Sequence, residues 1–228
     1  RILQGYGLTE AGPVTNCNPP TRVKIHTVGP AIAGVEIRIA EDGEILVRGE
    51  NVMQGYWGLA ELSAQTVRDG WLYTGDIGVL DADGYLQITD RKKDIIVNSG
   101  GDNVAPQRIE GFLTLRPEIG QAMVHGDKRP YLVAVLVPRP EFLESFAQAH
   151  GKPNNLAALA GDPELHKALA AALDEVNRGL SVIERVRRFV VASEPFTIAN
   201  GMLTPSMKVR RHVVRQASGA RLEGLYGS

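Results

Sequence analysis

The chain has 228 residues, 43% hydrophobic and 22% charged, with a formal net charge of −1, an ordinary globular mix sized for one or two domains. A near-neutral charge argues against general polyanion binding, which needs a basic face, and no aromatic-and-basic stripe of a nucleic-acid binder appears; the basic residues gather only locally, at Arg185, Arg187 and Arg188 and at Lys208, Arg210, Arg211 and Arg215. Single Cys17 excludes an internal disulfide and suits a reducing, cytoplasmic compartment, no apolar run approaches the ~18–20 residues of a spanning helix, and Arg1-Ile-Leu-Gln-Gly5 has none of the features of a signal peptide and reads like the middle of a longer protein.

The first ninety residues are β-rich. Val35–Ile39 alternates apolar and polar residues as a half-buried strand does, Asp42-Gly43 turns the chain, and Glu44–Arg48 returns. A second hairpin is predicted from Ile77–Leu80 and Tyr85–Thr89 around Asp81-Ala-Asp-Gly84. Asp90-Arg-Lys-Lys-Asp94 follows, five consecutive charges between apolar segments; such a run reads as solvated and suits a domain boundary.

Beyond it the pattern mixes helix and strand. Pro106 fits the first position of a helix with Ile109, Phe112 and Leu113 on one face. Strands follow near 122–125 and 131–137, the second apolar throughout, as in a strand covered on both faces. Pro140 opens a helix with Phe142, Leu143 and Phe146 inward, closed by Gly151. Asp162-Pro163 caps a longer helix whose stripe is Leu165, Leu169, Ala172, Leu173 and Val176, ended by Gly179. Val186–Val191 is a further strand. The fold class is α+β: an incomplete β-rich subdomain over 1–90, then a compact α+β domain over 91–228.

Four segments carry chemistry. In Gln4-Gly-Tyr-Gly-Leu-Thr-Glu10 the glycines around Tyr6 let a backbone pass close to a flat ligand. Thr9 and Glu10 set a hydroxyl beside a carboxylate, which suits a phosphate and its Mg²⁺; a glycine-rich loop with a surface glutamate is the plain alternative. In Gly70-Trp-Leu-Tyr-Thr-Gly-Asp76 the aspartate can accept two hydrogen bonds, as a ribose diol would offer, or make an Asx-turn. In Asp90–Gly101, Arg91 can donate several bonds to sugar or phosphate, and Gly100-Gly101 permits tight backbone passage. In Asn200–Arg211, Lys208 lies among Gly, Pro and Ser on what reads as a mobile loop, within reach of an anionic centre or simply at the surface.

In this order and spacing the four segments resemble the later core motifs of the adenylate-forming superfamily, which contains acyl-CoA synthetases, firefly-type luciferases and peptide-synthetase adenylation domains. Gly49-Glu-Asn-Val-Met-Gln-Gly-Tyr56 resembles a further motif between the first two, and the likeness runs from residue 4 to about 212. The ending is similar to the long-chain fatty acyl-CoA synthetase group, in that Met207 precedes the lysine where other branches usually have glycine; the helical segment over about 152–180 looks like that branch too.

The resemblance implies a C-terminal fragment of an ATP-dependent ligase, with 1–90 the remnant of a large AMP-binding domain, 90–94 a hinge and 91–228 a mobile lid. The implied reaction joins a fatty acid to ATP-Mg²⁺ to give acyl-AMP and pyrophosphate, after which the thiol of coenzyme A displaces AMP. Carried over by motif, Gly5 and Tyr6 line the adenine pocket, Thr9 contacts the α-phosphate, Glu10 holds Mg²⁺, and Asp76 and Arg91 grip the ribose. Lys93 is the hinge position, Gly100 borders the channel for coenzyme A, and Lys208 stabilises charge at the reacting carboxylate and phosphate. The family's phosphate-gripping loop lies upstream of the tyrosine motif and is not in this sequence, so the fragment alone is expected to be inactive. A cytoplasmic protein is expected, and such a substrate is compatible with peripheral membrane contact. Two alternatives stand beside this: an aryl- or amino-acid-activating branch, and a non-catalytic docking domain. Keeping Lys208, Glu10 and Asp76 together speaks for catalysis, since a docking module has no need of all three.

Overall fold

The computed structural model describes residues 2–227 and is α+β, divided into two units, Arg1–Asp94 and Ile95–Ser228. In the first unit, β1 (Gly5–Tyr6) and β2 (Asn16–Cys17) pair antiparallel around a 3₁₀ turn at Thr9–Ala11. The alternating segment is strand β3 (Val35–Ile39), and it pairs antiparallel with β4 (Glu44–Gly49). Gly43, in the turn between them, takes φ +84°, a conformation that glycine adopts without steric cost. A short helix, α1 (Ala60–Thr66), which the sequence reading did not anticipate, leads into β5 (Val67–Arg68), β6 (Trp71–Leu80) and β7 (Leu86–Arg91). β4 lies along one edge of β6, while β5 and β7 share the other edge at its two ends. Ala11, Ile45, Val47, Leu72 and Leu86 form the buried core of this unit.

The ladders from β6 to β4 and from β6 to β7 each shift register, on either side of Ile77. Between β4 and β6 the pairing goes from Glu44–Ile77 to Leu46–Tyr73, and between β6 and β7 from Ile77–Asp90 to Gly78–Ile88. The surplus residues of the β4–β6 shift make a bulge at Thr74–Gly75–Asp76, while the extra residue of the β6–β7 shift is Thr89 of β7; bulges re-aim side chains where they occur. The charge run after this is not uniformly solvated, contrary to the sequence reading. Asp90 is a buried residue of β7 whose carboxylate accepts the Arg91 amide at 2.6 Å, while Arg91 and Lys92 are about half exposed. Successive strand residues point to opposite faces, so a run of charges inside a strand cannot all face water.

The second unit opens with a small hairpin, β8 (Ile96–Val97) and β9 (Asn103–Val104), then α2 (Pro106–Thr114). Its sheet has three strands, β10 (Ile119–His125), β11 (Leu132–Pro138) and, after α3 (Pro140–Ala149), α4 (Leu156–Leu159) and α5 (Pro163–Arg178), strand β12 (Val186–Val191). β11 is central, antiparallel to β10 and parallel to β12. A parallel pair needs a long crossover, and α3–α5 supply it. Proline at the first helical turn starts α2, α3 and α5. Asp162 caps α5, accepting the amides of Glu164 and Leu165 at 3.0 Å each.

Every residue of β11 is buried. Leu132, Ala134 and Leu136 face Ile109, Leu113, Phe146, Leu165 and Leu169 of the helices on one side. Val133, Val135 and Val137 share a second cluster with Met202, Leu203, Val214 and Leu222. The last two belong to α6 (Arg211–Gly224), a helix the sequence reading did not anticipate because it buries only Val214 and Leu222, with Val213 packed beside them, among mostly small and polar residues. Phe112, expected to face inward, is 40% exposed, and the Arg108 guanidinium lies 5.2 Å from its ring centre. In α2 it is the Ile109–Leu113 pair, four residues apart, that meets the sheet.

Candidate functional site

The β6 bulge follows from its sequence. Gly75 takes φ +71°, with no neighbouring atom within 4 Å of a Cβ placed there, so the backbone angle alone selects glycine. The Thr74 hydroxyl donates to the Ile45 carbonyl at 2.8 Å and accepts the Asp76 amide at 3.1 Å. The Gly75 amide donates to Glu44 Oε1 at 2.9 Å. These bonds replace what the broken ladder loses, as buried amides require. Asp76 is thereby set opposite Arg91 in the β6–β7 register.

Three residues expected at a nucleotide come together here. Tyr6 Oη donates to Asp76 Oδ2 at 2.6 Å, and Arg91 Nε stands 3.1 Å from Asp76 Oδ1. The Asp76 side chain is only 9% exposed, against 46% for Arg91. A buried carboxylate must be paired and hydrogen-bonded, and these two donors satisfy that. About four lone-pair sites exist on a carboxylate, so acceptor capacity remains for hydroxyl groups. Burial, and then the hydrogen bond to Asp76, push the Tyr6 phenol well above its usual range, so Tyr6 stays a donor throughout the physiological range.

The glycines around Tyr6 are required by the packing of their own loop. A Cβ on Gly7 would sit 1.7 Å from the Pro13 carbonyl oxygen, and one on Gly5 would sit 3.0 Å from that of Asn16. The close passage here is of the loop against itself. Thr9 is exposed and Glu10 half-buried in the 3₁₀ turn. Tyr56 Oη donates to Glu10 Oε1 at 2.9 Å, the Met53 amide donates to the Glu10 carbonyl at 2.8 Å, and Asn51 Nδ2 donates to the Ala11 carbonyl at 2.8 Å. The Gly49–Tyr56 segment therefore holds the Thr9–Glu10 turn. Tyr56 and Asn51 were not among the candidate residues; their segment was visible as a motif, but its contact with Glu10 is long-range.

Lys93 lies exposed in a 3₁₀ turn at Lys92–Asp94, the end of the first unit. Gly100 and Lys208 belong to the second unit, on different loops. Asn98 Oδ1 accepts the amides of Gly100 and Asp102 at 2.9 Å each, a side-chain turn that holds the β8–β9 loop. The Lys208 loop is a closed turn. Thr204 N donates to the Lys208 carbonyl at 2.9 Å, the Lys208 amide donates to Thr204 Oγ1 at 3.0 Å, and Leu203 bridges Val209. Met202 and Leu203 are buried beneath it, while the lysine is exposed. Just beyond, Arg211 forms a two-pronged pair with Glu110, both contacts at 2.7 Å.

The first unit thus holds a buried aspartate paired with tyrosine and arginine, and the second an exposed lysine on a closed turn. Residues 1–57 match the AMP-binding enzyme family and residues 93–228 match the AMP-binding enzyme C-terminal domain; the chain belongs to the AMP-binding enzyme superfamily. It is 41% identical over 227 residues to the long-chain-fatty-acid–CoA ligase FadD15 of Mycobacterium bovis, covering 99% of this chain and 38% of that protein. To long-chain-fatty-acid–CoA ligase 5 of Mus musculus it is 32% identical over 242 residues, covering 100% of this chain and 35% of that protein. Among solved structures, the adenylation domain of a carboxylate reductase from Mycobacterium chelonae superposes with TM-score 0.79 at 27% identity, over 99% of this chain and 35% of that one. The O-succinylbenzoate coenzyme A synthetase of Bacillus subtilis, solved with ATP and magnesium ion, gives TM-score 0.67 at 28% identity, over 92% of this chain and 40% of that one. The chain thus spans less than two fifths of the length of these curated relatives.

Proposed function

We propose that this chain forms part of an AMP-forming fatty acyl-CoA ligase, supplying the ribose grip and the lid of a two-step reaction. The observation that carries the reading is the buried Asp76 carboxylate held by Tyr6 and Arg91, in a chain homologous to long-chain fatty acid–CoA ligases. In this reading Asp76 and Arg91 bind the ribose hydroxyls, Gly5 and Tyr6 border the adenine, and Thr9 contacts the α-phosphate. Among the described residues no group of three or more His, Cys, Asp or Glu side chains is arranged to hold a metal. Glu10 offers one carboxylate, with one oxygen engaged by Tyr56. That fits a Mg²⁺ completing its shell with phosphate oxygens and water, where it would neutralise charge on the phosphates.

Residues 1–90 serve as the nucleotide-facing domain remnant and 91–228 as the lid, with 90–94 the hinge and Lys93 the residue whose dihedrals change. Lys208 stabilises the charge that develops as the fatty acid carboxylate attacks the α-phosphate, and Gly100 borders the path of coenzyme A for the second step. No helix among the described residues is long and apolar enough to cross a membrane, consistent with a fatty acid being met at a membrane surface or in solution. The 228 residues alone, without the phosphate-gripping loop, should form no acyl-CoA.

The test is to assay the full-length protein carrying this chain for pyrophosphate release and thioester formation with long-chain fatty acids, aromatic acids and amino acids. Fatty acids should give the highest kcat/KM. Preference for an aromatic or amino acid would assign another branch, and thioester formation by the 228-residue chain alone would overturn the division of labour proposed here.

A further inference from the structure

Glu44 is a carboxylate 4% exposed, in the sheet that also buries Asp76 and Asp90. A charge so placed is costly unless its oxygens are satisfied. Its two oxygens are divided. Oε1 accepts the Gly75 amide at 2.9 Å, and Oε2 meets Lys92 Nζ at 2.7 Å. Gly75 immediately precedes Asp76, and Lys92 lies between Arg91 and Lys93. Asp76 and Arg91 are themselves ion-paired and opposite one another in the ladder. Lys92 also meets Asp42 at 2.6 Å, though Asp42 is half exposed. The two carboxylates, Asp42 first and Glu44 second, hold the Lys92 ammonium above the usual lysine range.

We infer that Glu44 is a positioning residue that ties the nucleotide-gripping bulge to the hinge, one oxygen aiming Asp76 through Gly75 and the other fastening Lys92 so that backbone rotation begins at Lys93. This rests on the proposed ligase reading. The Gly75 amide sits at a positive-φ bulge where no ladder partner is available, so Glu44 Oε1 is what keeps the bulge in register. Lys92, the first residue of the 3₁₀ turn that follows β7, is fastened to the same carboxylate, so the turn is anchored at the residue before Lys93.

The two oxygens can be separated chemically. Glu44→Gln keeps an acceptor for Gly75 but loses the charge that holds Lys92. Glu44→Ala loses both. Lys92→Met removes the hinge contact without touching the bulge, and serves should Glu44→Ala fail to fold. In the full-length ligase, Glu44→Gln and Lys92→Met should leave the ATP KM within about threefold while slowing thioester formation from preformed acyl-AMP about tenfold. Glu44→Ala should also raise the ATP KM about tenfold. In the 228-residue chain, Gly75 amide exchange should accelerate about tenfold in Glu44→Ala and stay near wild type in Glu44→Gln. Parallel changes of both half-reactions in all three variants, or changes under about twofold throughout, would overturn the inference alone. A full-length wild-type protein that forms no acyl adenylate would overturn the ligase reading and this inference together.

Discussion

Tyr6 and Asp76, seventy positions apart, are joined by a 2.6 Å hydrogen bond from phenol to buried carboxylate. The bond ties the N-terminal loop to the central strand of its sheet at the point where that strand bulges. Hydrogen bonds to charged groups contribute about 1.5–3 kcal/mol. Tyr6→Phe keeps the ring and removes the donor, so the chain should lose an amount in the lower part of that range, measured by urea unfolding. On the proposed ligase reading, the ATP KM of the full-length protein should rise by about tenfold, since 1.4 kcal/mol is tenfold in an equilibrium constant. Unchanged unfolding and unchanged KM would show that the contact does not organise the site.

On the proposed reading, Lys208 and Lys93 should separate the two half-reactions in the full-length protein. Lys208→Ala removes one preorganised donor and should slow adenylation ~10²–10³-fold, while thioester formation from preformed acyl-AMP stays within about threefold, as for a surface change under ~0.5 kcal/mol. Lys93→Pro should do the reverse, because proline fixes φ near −65° at about the residue that must turn: pyrophosphate release is retained and transfer to coenzyme A slows. Equal loss of both steps in both variants would point to misfolding and sink the moving-lid scheme.

Glu110 is enclosed at the junction of α2, β10 and α6. It takes both prongs of Arg211, and its Oε1 also accepts the Val124 amide at 2.7 Å. Removing one member of a buried pair typically costs about 3–5 kcal/mol; with side chains 12% and 20% exposed, the low end is expected. Glu110→Gln should therefore lower the stability of the second unit by about 3 kcal/mol, read by calorimetry on the chain. Because Arg211 stands three residues beyond Lys208, adenylation by the full-length variant should fall as well. A shift in melting temperature within error would refute the pair's structural role.

Asp162 gives a pH prediction. The side-chain bond from Lys152, followed by the amide of Leu165, holds its carboxyl below the usual range. Its pKa is thus lower folded than unfolded, so the stabilisation is fully present above the unfolded value of about 3.9. It is lost as pH falls through the folded value. Asp162→Ala should melt earlier than wild type at neutral pH, and the gap should close in acid below about pH 4. A gap of constant size down to strongly acidic pH would mean that the cap's charge contributes nothing.

Local chemistry made much of this protein readable from its residues alone. The strand alternation at Val35–Ile39, the proline starts of α2, α3 and α5, the Asp162 cap and the wholly apolar β11 each follow from period, propensity or a capping side chain, which neighbours in sequence decide. The ordered motifs likewise marked Tyr6, Asp76 and Arg91 as companions before any geometry was known. What the chain could not announce depends on register and on distant partners. Asp90 reads as one more solvated charge until pairing with Ile77 turns it inward. Phe112 reads as core until α2 is seen to meet the sheet through Ile109 and Leu113. Nothing beside Gly7 in the sequence shows that Pro13 closes over it. Tyr56 on Glu10, Glu44 between Gly75 and Lys92, and Arg211 on Glu110 are contacts across tens of residues, set only when strands and helices pack, because no local pattern specifies which distant carboxylate a side chain will reach.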